Sequence, residues 1–264
     1  MEFLAGNRIR GTSTERNSIS SATFKDNYDD TSSWAKTGTT VTVDDGLAGK
    51  AFGNGNTANG YDYVSKAIGT TLSDTTWTTT FDFIIDSNAD YYSAPILFTA
   101  GSGNPHTSNQ DAIGYGFNGN SSGDAQLFWM WKVGSGSFSF ISTSNYDSNM
   151  LNLVKGQQYY VTLTRTLSNN ITVNVYTNEA RTSQVTNSPH SYALDSSIGG
   201  LTHVTHAMSP DTGNDQAIFT VDNMKIYDGV TTAPNPVPVV DGSIFYETDN
   251  NKSYVLNSGT WTEL

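Results

Sequence analysis

The run from Asp111 to Ile141, DAIGYGFNGNSSGDAQLFWMWKVGSGSFSFI, constrains the fold more than any other stretch. Large apolar residues recur there at every second position: Ile113, Tyr115 and Phe117, then Leu127, Trp129 and Trp131, then Phe138 and Phe140. Period two is the mark of a β-strand, whose successive side chains point to opposite faces. Asn118 to Gly123 and Gly134 to Gly136 separate these runs, and both are rich in the Gly, Ser and Asn of hairpin loops. The spacing therefore predicts an antiparallel aromatic meander at the centre of a β-sandwich.

The flanking sequence has the same character. Thr76 to Asp86 (TWTTTFDFIID) puts Trp77, Thr79, Phe81, Phe83 and Ile85 on one face, and Asp82 among threonines on the other. Gln158 to Thr166 and Ile171 to Thr177 read as a hairpin around Ser168 to Asn170. Phe219 to Tyr227 alternates but slips in phase near Asp222 and Asn223, which predicts a bulge. Lys50 to Tyr63 is full of Gly and Asn and reads as loop, whereas Val41 to Val43 reads as a strand. About ten to twelve short strands between Phe24 and Asp228, with no helical pattern longer than two turns, predict an all-β, two-sheet antiparallel sandwich or jelly roll.

The organisation expected is an N-terminal arm over 1–22, a sandwich over 23–229, a Pro-rich linker over 230–240 and a β tail over 241–264. Three of the seven prolines, Pro234, Pro236 and Pro238, fall in that linker. The tail reads as three short strands, too small a piece to be stable alone. The arm has three arginines against two acids, and the tail carries Ile244, Phe245, Tyr246, Tyr254, Val255, Leu256 and Trp261. Docking of both on neighbouring subunits is the expectation, giving a closed homo-oligomer, with a trimer as the guess from viral fibre and decoration proteins.

Composition narrows the functional classes. The chain carries 13 basic against 25 acidic residues, a net charge of −12, so it lacks the basic footprint a nucleic-acid partner requires. It has no cysteine, hence neither disulfides nor thiol chemistry. No apolar run approaches the ~20 residues of a membrane span, and the first residues show no apolar core of a signal peptide.

Several segments carry a resemblance. FKDNYDD from Phe24, TWTTTFDFIID, YYVTLTRT followed by ITVNVYT, and the closing VDNMKIYDG together resemble the laminin-G-like branch of the concanavalin A-like lectin/glucanase superfamily over about residues 24 to 228. That resemblance implies two stacked antiparallel sheets, one of them concave. The tail IFYETDNNKSYVLNSGTWTEL and the opening LAGNRIRGTSTERN resemble terminal segments of structural proteins from marine tailed viruses and archaeal elements. The setting implied is a virion or other extracellular surface.

Hydrolases on this fold carry acids at alternate positions of one strand, because two carboxylates must flank one glycosidic bond. Only Glu247 and Asp249 are spaced by two here, at a turn of the tail, and none of the five glutamates lies on a central strand. Gly119 to Gly123 matches G-x-S-x-G but joins two strands, not a strand and a helix. His203 and His206, three apart on a strand, point to opposite faces. The expectation is a non-catalytic surface protein that attaches to glycans, such as a host polysaccharide, or decorates a particle. A purely structural assembly protein is the alternative, and a glycoside hydrolase or polysaccharide lyase comes third.

Candidate glycan-binding residues are Tyr91, Tyr92, His106, Tyr115, Phe128, Trp129, Trp131 and Asp82. Either the Trp129 and Trp131 face is core, which turns Phe128, Met130 and Lys132 outward, or it is the exposed aromatic surface. Asp26 and Asp222, one near each end of the sandwich, would approach if the terminal strands pair. A structural Ca²⁺, which takes six to eight oxygen ligands, is the expected occupant of that pair.

Overall fold

The computed structural model describes residues 2–4, 8–13, 16, 22–26, 28, 33–37, 50–54, 63–85, 93–119, 124–140, 151–208, 216–231, 242–257 and 260–264. Val41 to Val43 and the core of the G-x-S-x-G run lie outside them. The chain forms two compact units, Thr23–Thr231 and a second one made of Met1–Ala22 with Thr232–Leu264.

In chain order the arm gives β1 (Glu2–Leu4) and β2 (Arg8–Gly11). The middle gives β3 (Phe24–Asp26), β4 (Ala35–Thr37), β5 (Lys50–Asn54), β6 (Tyr63–Ala67), β7 (Thr76–Ile85), β8 (Ser93–Thr99), β9 (Ala112–Gly119), β10 (Asp124–Lys132) and β11 (Ser139–Phe140). It continues with β12 (Leu151–Val154), β13 (Gln158–Thr166), β14 (Asn170–Tyr176), β15 (His190–Ala193), β16 (His203–Met208) and β17 (Gln216–Asp228). The tail gives β18 (Ile244–Glu247), β19 (Ser253–Asn257) and β20 (Thr260–Glu263).

The middle unit is an antiparallel β-sandwich of two sheets. One runs β11-β10-β9-β8-β16-β6-β4, with β12 also on β10; the other runs β15-β14-β13-β7-β17-β3, with β5 also on β17. The aromatic meander forms as its spacing predicts, Trp129 facing Tyr115 and Trp131 facing Ile113 across β9 and β10. Gly114 is required there: a Cβ would lie 1.9 Å from the Ile96 carbonyl oxygen, at the register shift between β8 and β9. The inward residues of β7, β13, β14 and β17 meet Ile96, Phe98, Ile113, Leu127, Trp129 and Val204 in one continuous core. Trp77 of one sheet touches Phe98 of the other at 4.7 Å between ring centroids. Burial of each such Leu, Ile or Phe side chain contributes roughly 1.5–3 kcal/mol.

Two readings of the sequence change. Lys50–Asn54, read as loop, is a strand because the first part of β17 offers it an edge, with Gln216 opposite Asn54 and Thr220 opposite Lys50. Met130 and Lys132, read as outward if Trp129 is core, are both buried. The loop Gly101–Gln110 covers Lys132, whose Nζ donates to the carbonyls of Pro105 (3.0 Å) and Ser108 (2.6 Å).

In the second unit arm and tail share one sheet, ordered β1-β2-β18-β19-β20. β2 and β18 run parallel, Ile9 opposite Phe245. Ile9, Phe245 and Tyr254 form its core, with Trp261 packed against them. Glu247 is fully buried and paired with Arg16, whose guanidinium lies 3.7 Å from the Tyr254 ring centroid. The apolar tail residues Phe245 and Leu256 are thus covered within the chain. No helix of the described residues is long and apolar enough to cross a membrane.

Candidate functional site

Alternation in β7, β13, β14 and β17 sends their apolar residues inward and leaves a polar outer face on the seven-stranded sheet. Register arranges that face in transverse rows. Asp222, Asp82, Tyr160 and Tyr176 stand side by side across β17, β7, β13 and β14. The next row is Lys25, Lys225, Thr80, Thr162 and Asn174, reaching from β3 to β14. A third holds Tyr227, Thr78, Thr164 and Thr172. Thr78, Thr80 and Thr164 in these rows are buried, so the face presents the half-exposed rings and hydroxyls of Tyr160, Tyr176 and Tyr227, with Thr162, Thr172 and the Asn174 amide.

Asp82 is a perturbed carboxylate on this face. Burial raises its pKa; the Asn223 hydrogen bond and Arg181 oppose that rise, and Asp222 adds to it. Arg181 Nη2 stands 3.6 Å from Asp82 Oδ1, and its guanidinium carbon 5.8 Å from the Tyr160 ring centroid. The loop carrying Arg181 is fixed by Asn178, whose Oδ1 accepts from the amides of Thr182 (3.1 Å) and Ser183 (2.9 Å).

Asn223 sits in the bulge between Asp222 and Lys225, with φ at 51°. Its Nδ2 donates to Asp82 Oδ2 at 2.9 Å and to Asp222 Oδ2 at 3.1 Å. One amide nitrogen therefore clasps two carboxylates, whose oxygens are no farther apart than those two hydrogen bonds laid end to end.

The residues singled out from sequence scatter. Asp82 is on this face. Tyr115 and Trp129 are not binding residues: both are in the core, their ring centroids 3.8 Å apart. Trp131 is half-buried, its ring 5.1 Å from that of Tyr192. His106 packs against Phe138 at 4.9 Å, and burial, with Lys132 nearby, lowers its pKa to about 4. Tyr91, Tyr92 and the Phe128 side chain fall outside the described residues. His206 is buried and hydrogen-bonded to the Tyr28 hydroxyl at 3.0 Å.

Asp26 and Asp222, paired from sequence around one Ca²⁺, are not brought to one face. Asp26 is opposite Met224 and shares its buried side, where its carboxylate meets Lys66 Nζ and the Tyr28 amide. Asp222 is opposite Asp82 on the outer side. The bulge reverses the alternation between them. Among the described residues no group of three or more His, Cys, Asp or Glu side chains is placed to hold a metal ion.

No protein-family profile matches the chain, and no curated protein matches it. Solved structures do. The xylan β-1,4-xylosidase from Bacillus halodurans C-125 overlays 77% of this chain and 39% of its own, at 9% identity and a TM-score of 0.50. The fold is a concanavalin A-like β-sandwich. An alginate lyase from Pseudomonas aeruginosa overlays 68% of this chain and 82% of its own, at 8% identity and a TM-score of 0.43. A structure of botulinum neurotoxin type C, whose cell entry depends on two ganglioside molecules, overlays 74% of this chain and 42% of its own, at 11% identity and a TM-score of 0.44. The chain thus spans about two-fifths of the xylosidase's length.

The expectation that the protein is not an enzyme is corrected. The xylosidase is an enzyme in which this sandwich occurs. Asp82 on β7 and Asp222 on β17 are neighbours through strand register, a juxtaposition that a search for acids along one strand does not reach. Asn223, Arg181, Tyr160 and Tyr176 were missed as partners of Asp82. The phase slip at Asp222 was the one signal in the sequence that pointed toward them.

Proposed function

We propose that the outer face of the seven-stranded sheet binds a glycan, and that Asp82 and Asp222 act on a glycosidic linkage lying over them. The observation that carries this is the clasp of both carboxylates by Asn223 Nδ2, at 2.9 and 3.1 Å. In this reading Asp82, whose pKa is raised by burial, is the general acid that gives its proton to the leaving oxygen. Asp222 is the partner that meets the developing positive charge at the sugar carbon or attacks it. Tyr160 and Tyr176 continue the row and supply flat rings and hydroxyls to neighbouring sugar units. The uncharged polar surface and the resemblance of the chain ends fit a place on a particle or extracellular surface. There the five-stranded unit would serve assembly.

The test is release of reducing ends from a panel of polysaccharides, with Asp82→Asn and Asp222→Asn as controls. Hydrolysis lost in both variants supports the reading. Binding that weakens in Asp82→Asn without any hydrolysis would leave the face a glycan site and remove the catalytic half. Full activity in both variants would remove Asp82 and Asp222 from the mechanism.

A further inference from the structure

We infer that the glycan taken by this face is acidic, and that Lys25 and Lys225 form the subsite for its carboxylate or sulfate groups. This rests on the glycan reading above and extends it to a substrate class.

Lys25 and Lys225 are directly opposite each other on β3 and β17, and both side chains are exposed. They point outward, because their neighbours Phe24, Asp26, Met224 and Ile226 are buried. Like charges directly opposite across a strand pair destabilise a sheet. Among the described residues neither lysine has a carboxylate within ion-pair distance. The chain has only 13 basic residues against 25 acidic ones, so adjacent unneutralised lysines are not a by-product of composition.

The other cations of the sandwich whose side chains are described have different tasks. Lys66 neutralises buried Asp26, Lys132 holds loop carbonyls, and Arg165 is buried and donates to the carbonyls of Ser168 and Ile198. Lys155, at the turn after β12, has an interaction of its own. What remains is Lys25, Lys225 and Arg181, and all three are on the face that carries Asp82 and Asp222. The two lysines lie one row along from the carboxylate pair, toward β3, whereas Arg181 lies over the row toward β14. A polymer with an anionic group on each unit could place its charges on these flanks and a linkage over Asp82. A neutral polymer would leave the lysine pair without a counter-charge.

The test compares binding of matched polymers by the wild-type protein. Alginate is set against the same alginate with its carboxyl groups reduced, and dextran sulfate against dextran. The expected result is at least about tenfold tighter binding of one or both charged polymers, falling as salt rises. The two pairs tell a carboxylate from a sulfate. In the K25Q/K225Q double variant that preference should vanish while the melting temperature stays level or rises, since a repulsion has been removed. Equal binding of charged and neutral polymers, or an unchanged preference in the double variant, overturns the inference. If neutral polymers alone bind and Asp82→Asn abolishes it, the glycan reading stands and this subsite falls. If no polymer of any kind binds, both fall.

Discussion

Arg181 and Asn223 both reach Asp82, and both do so from a left-handed backbone, with φ at 53° and 51°. Asn adopts that conformation with little penalty, but for Arg it costs about 1–2 kcal/mol. Strain of this kind persists where the surroundings enforce it, and here the Asn178 hydrogen bonds to the loop supply the enforcement. Arg181→Gly relieves that strain but loosens the unfolded chain and loses the Asp82 contact, so its stability in denaturant unfolding should stay within about 1 kcal/mol of wild type. It should also raise the Asp82 pKa further, because the guanidinium is one of the groups that hold it down. Carboxyl NMR titration checks this; an unmoved or lower Asp82 midpoint would show that Arg181 does not act on it.

Asp82 gives a pH signature of its own. Its folded pKa is raised above the unfolded value of 3.8, with burial as the first cause. The folded state therefore holds the proton more tightly. The stability this contributes is fully present below the unfolded pKa and is lost as pH rises through the folded one. Asp82→Asn has no such loss, so its melting temperature relative to wild type should climb as pH rises from 3.8 through the raised folded pKa of Asp82. A difference that stays constant over that range would contradict a raised Asp82.

His106 works with the opposite sign. Burial, then Lys132, lowers its pKa from 6.5 to about 4. Its neutral form is favoured by the fold, so the stability it contributes is present above pH 6.5 and is lost as pH falls toward 4. The loss is roughly 3 kcal/mol at most, centred on the loop that covers Lys132. His106→Asn should flatten the stability profile across that window. An acid limb as steep as that of the wild type would assign the loss to other groups.

Trp129 separates packing from binding. It is fully buried against Tyr115, so Trp129→Ala should cost about 3–5 kcal/mol. Trp129→Phe should cost less and leave any glycan affinity unchanged. Affinity lost in a folded Trp129→Phe protein would return this residue to the binding surface.

The sandwich was legible because a strand writes its faces into every second residue. Trp77, Phe81, Phe83 and Ile85 could be assigned to one side of β7 from the sequence alone, and the bulge at Asp222 announced itself as a broken alternation. The site was not legible in the same way. Asp82 and Asp222 are 140 positions apart in the chain and become neighbours only through the register of β7 against β17. A search for acids along one strand has no access to that register. Lys132 was read as outward for a related reason: alternation gives the side of the sheet but not what lies on it, and the 101–110 loop covers that side. The Asp26 and Asp222 pair failed because the bulge that was foreseen also changes which residues share a face.

The parallel pairing of β2 with β18 has a mechanical consequence. The chain enters and leaves the sandwich through the same small sheet, so the sandwich is topologically a long insertion between two adjacent strands. Tension applied between the first and last strands is carried across the β1–β2, β2–β18, β18–β19 and β19–β20 hydrogen bonds in turn. While these pairings hold, the small sheet bridges the two connections to the sandwich and takes the load in its place, as a clamp in parallel with it.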